Sequence, residues 1–159
     1  MIKSKSLVEY LKEHAFLAGF RPEHIDRLAA MANEVQFERN QVLFREGDES
    51  SLFYLILHGK VALEATATGR TVRIQTLHEG EEVGWSSVVA SKGKHFQARA
   101  LTNVRALAFD GARLREECDA DCGFGYAMMR RLLHVVSGRL QALRLQLIDM
   151  CGPEAQKTV

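Results

Sequence analysis

The chain has 159 residues, of which 47% are hydrophobic and 26% charged, and its formal net charge at pH 7 is +1. This size and composition predict one globular domain with a real core. The balanced charge argues against a strongly electrostatic nucleic-acid or membrane binder, and no run reaches the roughly 18 apolar residues of a membrane span. The first residues carry Glu9, Lys12, Glu13 and His14, so they lack the apolar core of a signal peptide.

Three cysteines, Cys118, Cys122 and Cys151, are too few and too widely spaced for a disulfide framework. An odd set of thiols predicts a reducing compartment, and we expect a cytoplasmic protein. Cys118 and Cys122 have no second Cys/His pair at a usual ligand spacing, so we predict ordinary thiols and no metal site.

Residues 1–34 form the first predicted segment, which is helical. Ser6 and Glu9 have the spacing of a capping box, and apolar residues then recur at helical intervals. Gly19 interrupts the pattern, and Pro22 is suited to the first turn of a second helix.

Residues 35–110 change to short apolar runs separated by glycine-bearing turns, which predicts an antiparallel barrel. Residues 61–77 alternate on both sides of Gly69 and predict a hairpin. Two more strands are expected in residues 96–110, with Thr102 and Asn103 between them.

Residues 111–151 are predicted to be helical again, and residues 152–159 form a tail. A short amphipathic helix and a glycine-rich break in CDADCGFGYAMM precede a long helix that ends near Gly152. Its apolar residues follow heptad spacing, and we call this set the heptad seam: Met129, Leu133, Val136, Leu140, Leu143, Leu147 and Met150. One interpretation is a helix packed on its own barrel. We favour a homodimer through the heptad seam, because a second apolar strip is free to face the barrel: Leu132, Val135, Leu145 and Ile148.

The order of helices, small barrel and long leucine-rich helix, together with spaced motifs, resembles the cyclic nucleotide-binding domain of the catabolite activator and protein kinase A regulatory families. VLFREGDESSLFYLILHGKVAL resembles the first barrel signature of that family, with matching residues Phe44, Gly47, Tyr54, Leu55, Gly59 and Val61. LHEGEEVGWSSVV resembles the start of its phosphate-binding cassette. The resemblance implies an α+β fold, in which a jelly-roll-like barrel is flanked by N-terminal helices and a long C-terminal helix.

Residues 80–97, which we call the cassette, also suit anion binding on physical grounds. Gly80 and Gly84 permit tight or positive-φ turns. Ser86 and Ser87 can begin a short helix whose N–H groups face an anion. The candidate pocket residues are Val83, Gly84, Trp85, Ser86, Ser87, Lys94, His95, Phe96 and Gln97.

Two departures from the family cassette bear on the ligand. Where the resemblance implies a ribose-binding glutamate, this chain has Trp85, whose indole is a donor only. Where it implies a phosphate-binding arginine, the chain offers Lys92, Lys94 or His95, and the sequence does not choose among them. Lysine lacks the bidentate fork of arginine, and strand alternation directs Arg99 elsewhere.

We therefore expect a non-catalytic, stand-alone regulatory module that has lost cAMP and cGMP binding of the usual kind, with Trp85 filling the sugar space. Trp85 lining a pocket for another ligand, and residual cyclic nucleotide binding, are the alternatives. A receptor for a cyclic nucleotide or other small anion that acts on a separate partner protein is a second functional hypothesis. A metal-dependent, cupin-like enzyme is a third, disfavoured because the six histidines are scattered.

The short tail leads us to expect no direct DNA binding by this chain. Met128, Met129, Leu132 and Leu133 are expected to face the cassette and to transmit its state along the helix.

Overall fold

The structure is a computed structural model that describes residues 5–49, 51–89 and 93–152. The N-terminal region contains helix α1 (Leu7–Glu13), a 3₁₀ turn η1 (Ala15–Leu17) and helix α2 (Pro22–Met31). Ser6 and Glu9 form the predicted capping box, and Pro22 occupies the first turn of α2. The helical region ends at Met31, because the chain enters its first strand at Asn33.

Eight strands follow, with a second 3₁₀ turn, η2 (Trp85–Ser87), between the sixth and the seventh. The strands are β1 (Asn33–Phe37), β2 (Val42–Phe44), β3 (Leu52–His58), β4 (Val61–Ala67), β5 (Arg70–Leu77), β6 (Glu82–Val83), β7 (Gln97–Ala100) and β8 (Val104–Asp110). The predicted hairpin is confirmed, since β4 and β5 pair across Thr68 and Gly69, both with positive φ. Positive φ at both turn residues gives the twist that a two-residue hairpin needs.

The strands form two four-stranded antiparallel sheets, in the orders β1-β8-β3-β6 and β2-β7-β4-β5. Alternate side chains of β3 point to opposite faces: Tyr54 and Ile56 join the core between the sheets, whereas Phe53 and Leu55 join a core beneath the helices. Both faces of this sheet are covered, which explains the unbroken apolar run of β3. The α+β sandwich with flanking helices confirms the expected fold class.

Helix α3 (Gly111–Ala120) and helix α4 (Cys122–Cys151) complete the described chain. The predicted glycine-rich break is wrong, since α4 begins at Cys122 and includes Gly123 and Gly125. Asp121 alone separates the helices, and its carboxylate accepts bonds from the N–H groups of Gly123 and Phe124. Gly125 is needed for packing rather than for a break, because a Cβ there would lie 2.6 Å from the carbonyl oxygen of Cys118.

No helix in the described ranges is long and apolar enough to cross a membrane. The same ranges hold no cluster of three or more metal-binding side chains, and all three cysteines are free thiols.

Candidate ligand pocket and its surroundings

Gly84 fixes the backbone at the start of the cassette. Its φ is +87°, and an added Cβ would lie 2.6 Å from the carbonyl oxygen of Leu52 and 3.0 Å from Nζ of Lys94. Only glycine tolerates this combination of left-handed backbone and close approach. Gly80 also has positive φ, as the sequence predicted.

The serine pair lies in the predicted short helix, η2, which is closed by its own hydrogen bonds. The N–H of Ser87 donates to the carbonyl of Gly84 at 3.1 Å, and the N–H of Val88 donates to that of Trp85 at 3.0 Å. The Ser87 hydroxyl also donates to the Gly84 carbonyl, at 2.8 Å. These bonds close the single turn of three residues, and the expectation that the first N–H groups of η2 face an anion stays a prediction.

A small cavity of about 20 Å³ lies beside η2. Its walls come from β2, β4, the cassette and α4, and they are Phe44, Leu63, Gly84, Trp85, Ser86, Lys94, His95, Phe96 and Arg139. Six of the nine predicted pocket residues therefore border one space. Val83, Ser87 and Gln97 do not border it, since Val83 is buried in the core between the sheets and Ser87 is covered by the start of α3.

Trp85 is partly buried and packs against the apolar core beneath the helices. That core includes Val88 from the cassette and Met128 and Leu132 from α4. The indole thus connects the cavity with the long helix.

Lys94 is the buried one of the two basic candidates that line the cavity. It is 5% exposed, its ammonium group donates to the Leu52 carbonyl at 3.2 Å, and Nζ lies 4.4 Å from the centre of the Phe44 ring. Burial lowers the pKa of Lys94 to about 8, against a partial opposing effect of Glu82. His95 borders the cavity but is exposed, and Lys92 lies outside the described residues.

Arg99 points to another partner, as strand alternation predicted. Its Nε and Nη2 donate to the two carboxylate oxygens of Glu64 at 2.9 and 2.8 Å. Gln97 donates to the same carboxylate at 3.3 Å. The hydrogen bond from Arg99 and, less strongly, the one from Gln97 lower the pKa of Glu64. This cluster joins β4 to β7 and keeps Arg99 out of the wall of the small cavity.

Sequence reasoning missed an ion pair between Glu82 of β6 and Arg139 of α4. The guanidinium donates to the Glu82 carboxylate and, at 3.0 Å, to the Glu82 carbonyl oxygen. The side chains are 2% and 11% exposed. Burial raises the pKa of Glu82 to about 7, which the nearby Arg139 only partly offsets.

A signal for half of this pair was present in the sequence. Val83 is an apolar residue that belongs between the sheets, so strand alternation places Glu82 on the side facing the helices. Nothing local identified its partner, because Arg139 stands 57 positions further along the chain.

The α4 helix presents two faces, and only part of the prediction for them is correct. Met128 and Leu132 are buried beside the cassette, whereas Met129 and Leu133 are 39% and 71% exposed. The expectation that all four face the cassette is wrong, because residues one position apart on a helix point about 100° apart. Leu145 and Ile148 of the second apolar strip are also exposed, so the strip meets the domain only near its start.

The chain is similar in sequence to known proteins that share one domain. The family model described as the cyclic nucleotide-binding domain matches residues 34–121. A CRP-like cAMP-activated global transcriptional regulator of Mycobacterium tuberculosis is 27% identical over 143 residues, which are 89% of this chain and 62% of that protein. The chain spans less than two thirds of the length of the curated relatives that it matches.

Solved structures share the fold. The N-terminal domain of a transcriptional regulator from Streptomyces coelicolor A3(2) is 25% identical with a TM-score of 0.68, covering 81% of this chain and 93% of that one. A cyclic nucleotide-binding domain from Methylobacillus flagellatus has a TM-score of 0.78 at 17% identity, covering 91% of this chain and 82% of that one.

Proposed function

This chain belongs to the cyclic nucleotide-binding domain family, and on that premise we propose that it is a non-catalytic regulatory module that no longer binds cAMP or cGMP in the usual way. The observation that carries the proposal is the small size of the cavity beside η2. Trp85, Lys94 and Arg139 approach it from the cassette and from α4.

The size of the cavity argues against a nucleotide in this conformation. A space of about 20 Å³ admits about one water molecule, whereas pockets for small-molecule ligands usually enclose roughly 300 Å³ or more. A nucleotide would therefore need Trp85 or Arg139 to move out of its present position.

The chemistry of the walls supports the same proposal. Trp85 offers no acceptor for a ribose hydroxyl, and Lys94 offers a point charge rather than a fork. Each missing charge-assisted bond is worth roughly 1.5–3 kcal/mol, so losing two weakens binding by about a hundredfold to ten-thousandfold.

Lys94 favours a second candidate function, a receptor for a different small anion that acts on a partner protein. A buried ammonium group beside a cavity is a costly arrangement without an anion or a similar partner nearby. Its bond to the Leu52 carbonyl, its contact with Phe44 and the charge of nearby Glu82 supply part of that compensation.

We further propose that the protein forms a homodimer through the heptad seam of α4. Leu133, Leu140 and Leu147, each seven positions apart, are 71%, 68% and 64% exposed. Large apolar side chains in heptad register form the contact surface of a two-stranded coiled coil, and a monomer would leave them in water. A dimer would carry any movement at Trp85 and Met128 along α4 to a second subunit.

A reducing, cytoplasmic location belongs to the same proposal. It rests on the three free thiols, two of which are exposed.

Calorimetric titration with cAMP, cGMP and inorganic phosphate tests the proposal. We expect the parent to bind cAMP weakly and Trp85→Glu/Lys94→Arg to bind it about a hundredfold more tightly. That variant regains a carboxylate that accepts from a ribose hydroxyl and a guanidinium that binds phosphate through two hydrogen bonds. The matched control is Val89→Glu/Lys94→Arg, which places the same acid on an exposed neighbouring residue outside the cavity.

Tight cAMP binding by the parent would overturn the proposal. Phosphate binding that disappears in Lys94→Met would instead favour the anion receptor.

A further inference from the structure

Arg139 contributes to the walls of two cavities. One is the small cavity beside η2. The other, of about 290 Å³, lies between α4, η1 and the β5–β6 connection, and its walls include Phe16, Leu77 and Glu82. Among the described residues, Arg139 is the one that borders both spaces.

The contact that holds Arg139 in this position is incomplete. One guanidinium nitrogen makes both bonds to Glu82, while Nε of Arg139 and Oε2 of Glu82 have no hydrogen-bond partner among the described residues. Gln75 of β5, which borders the larger cavity, also has an unpartnered amide oxygen. Buried polar groups that lack partners favour an arrangement that supplies them.

We propose that Arg139 is a displaceable wall, and that the ligand site is the single cavity that forms when its side chain leaves Glu82. This inference rests on the proposed function, since it assumes that the cassette cavity is a ligand pocket now closed. The joined space, with the volume vacated by the side chain added, reaches the size of ordinary ligand pockets.

The chemistry along the joined cavity defines the class of ligand. Lys94 supplies a cation at the cassette end, and the carboxyl oxygens of Glu82, once released from Arg139, accept hydrogen bonds from hydroxyl groups. A small anion that also carries hydroxyls, such as a sugar phosphate, satisfies both ends. Glu82 would thereby be the residue that distinguishes such a ligand from an anion without hydroxyl groups. Trp85 cannot do this, because its indole has no hydrogen-bond acceptor for a hydroxyl group.

Ribose 5-phosphate and inorganic phosphate are suitable probes for a comparison on the whole chain. The measured quantity is the ratio of their affinities by calorimetry. In Arg139→Met, we expect the affinity for ribose 5-phosphate to rise about tenfold relative to the affinity for phosphate. In Glu82→Leu/Arg139→Met, we expect this rise to be absent. The latter variant has no unpaired buried charge and is expected to fold even if the single variant does not.

Arg144→Met is the matched control, because Arg144 lies on the same helix, is exposed and borders neither cavity. In the parent, we expect ribose 5-phosphate to shift the NMR signal of the Arg139 Nε–H, and phosphate to leave it in place. A purely structural ion pair would not respond in this way.

The outcomes separate the two proposals. If phosphate binds through Lys94 but neither the affinity ratio nor the Arg139 signal changes, the displaceable wall is wrong and the anion receptor stands. If neither probe binds the parent or any variant, the cassette is not a pocket for anions and this inference fails with it. In that case the loss of cAMP binding is still tested by the Trp85→Glu/Lys94→Arg titration.

Discussion

Removing the guanidinium of Arg139 should destabilise the domain far more than removing the whole ion pair. Arg139→Met leaves the Glu82 carboxyl, 2% exposed, without its cation. Breaking a buried pair in this way costs about 3–5 kcal/mol of unfolding free energy, which for a domain of this size lowers Tm by roughly 6–20 °C. Glu82→Leu/Arg139→Met should lie within about 1 kcal/mol of the parent, because no buried charge is left unpaired.

The pH dependence of this loss follows from the raised pKa of Glu82. A carboxyl with a folded pKa of about 7, above its usual 4.5, contributes stability that is fully present below pH 4.5 and lost as pH rises to about 7. Without Arg139 that pKa rises further, so the loss continues to higher pH. Arg139→Met should therefore differ from the parent more at pH 8.5 than at pH 5.5.

Urea unfolding of the parent and both variants at the two pH values measures these differences. Equal losses in the single and double variants would refute the reasoning, since the cost would then come from lost packing. A loss that does not depend on pH would show that Glu82 does not titrate in this range.

Three further predictions concern the cassette and α4. The folded pKa of Lys94, about 8 against the usual 10.5, means that its contribution to stability rises with pH between these values, and Lys94→Met should flatten the stability profile there. Gly84→Ala should lower the free energy of unfolding, measured by chemical denaturation, by about 2–5 kcal/mol, because of backbone strain and the contact with Leu52. Gly69 also has positive φ but lies in open space, so Gly69→Ala should lower it by only about 1–2 kcal/mol. Leu140→Glu should convert the dimer to a monomer in sedimentation at micromolar concentration. Leu145→Glu is the control, because Leu145 lies off the heptad seam and is 53% exposed, and this variant should remain a dimer. A parent protein that is already a monomer would contradict the proposed interface.

Local signals were sufficient for several elements of this fold. The capping box of Ser6 and Glu9, the hairpin turn at Gly69 and the alternation of β3 depend on residues within a few positions of one another. Such patterns act through backbone geometry and hydrogen bonds that close locally. The sequence therefore determined the order of the helical and strand regions, and the position of the cassette, which runs from β6 to the start of β7.

Tertiary packing decided the rest of the candidate site. The glycines at the start of α4 were predicted to break the chain, but the close approach of α3 makes Gly125 a packing residue within the helix. Lys94, rather than His95, is buried because its side chain bonds to the Leu52 carbonyl and packs over the Phe44 ring. The pairing of Glu82 with Arg139 depends on where α4 lies against β6, and no local pattern encodes that, because the energy of a buried charge is set by whatever the fold places beside it.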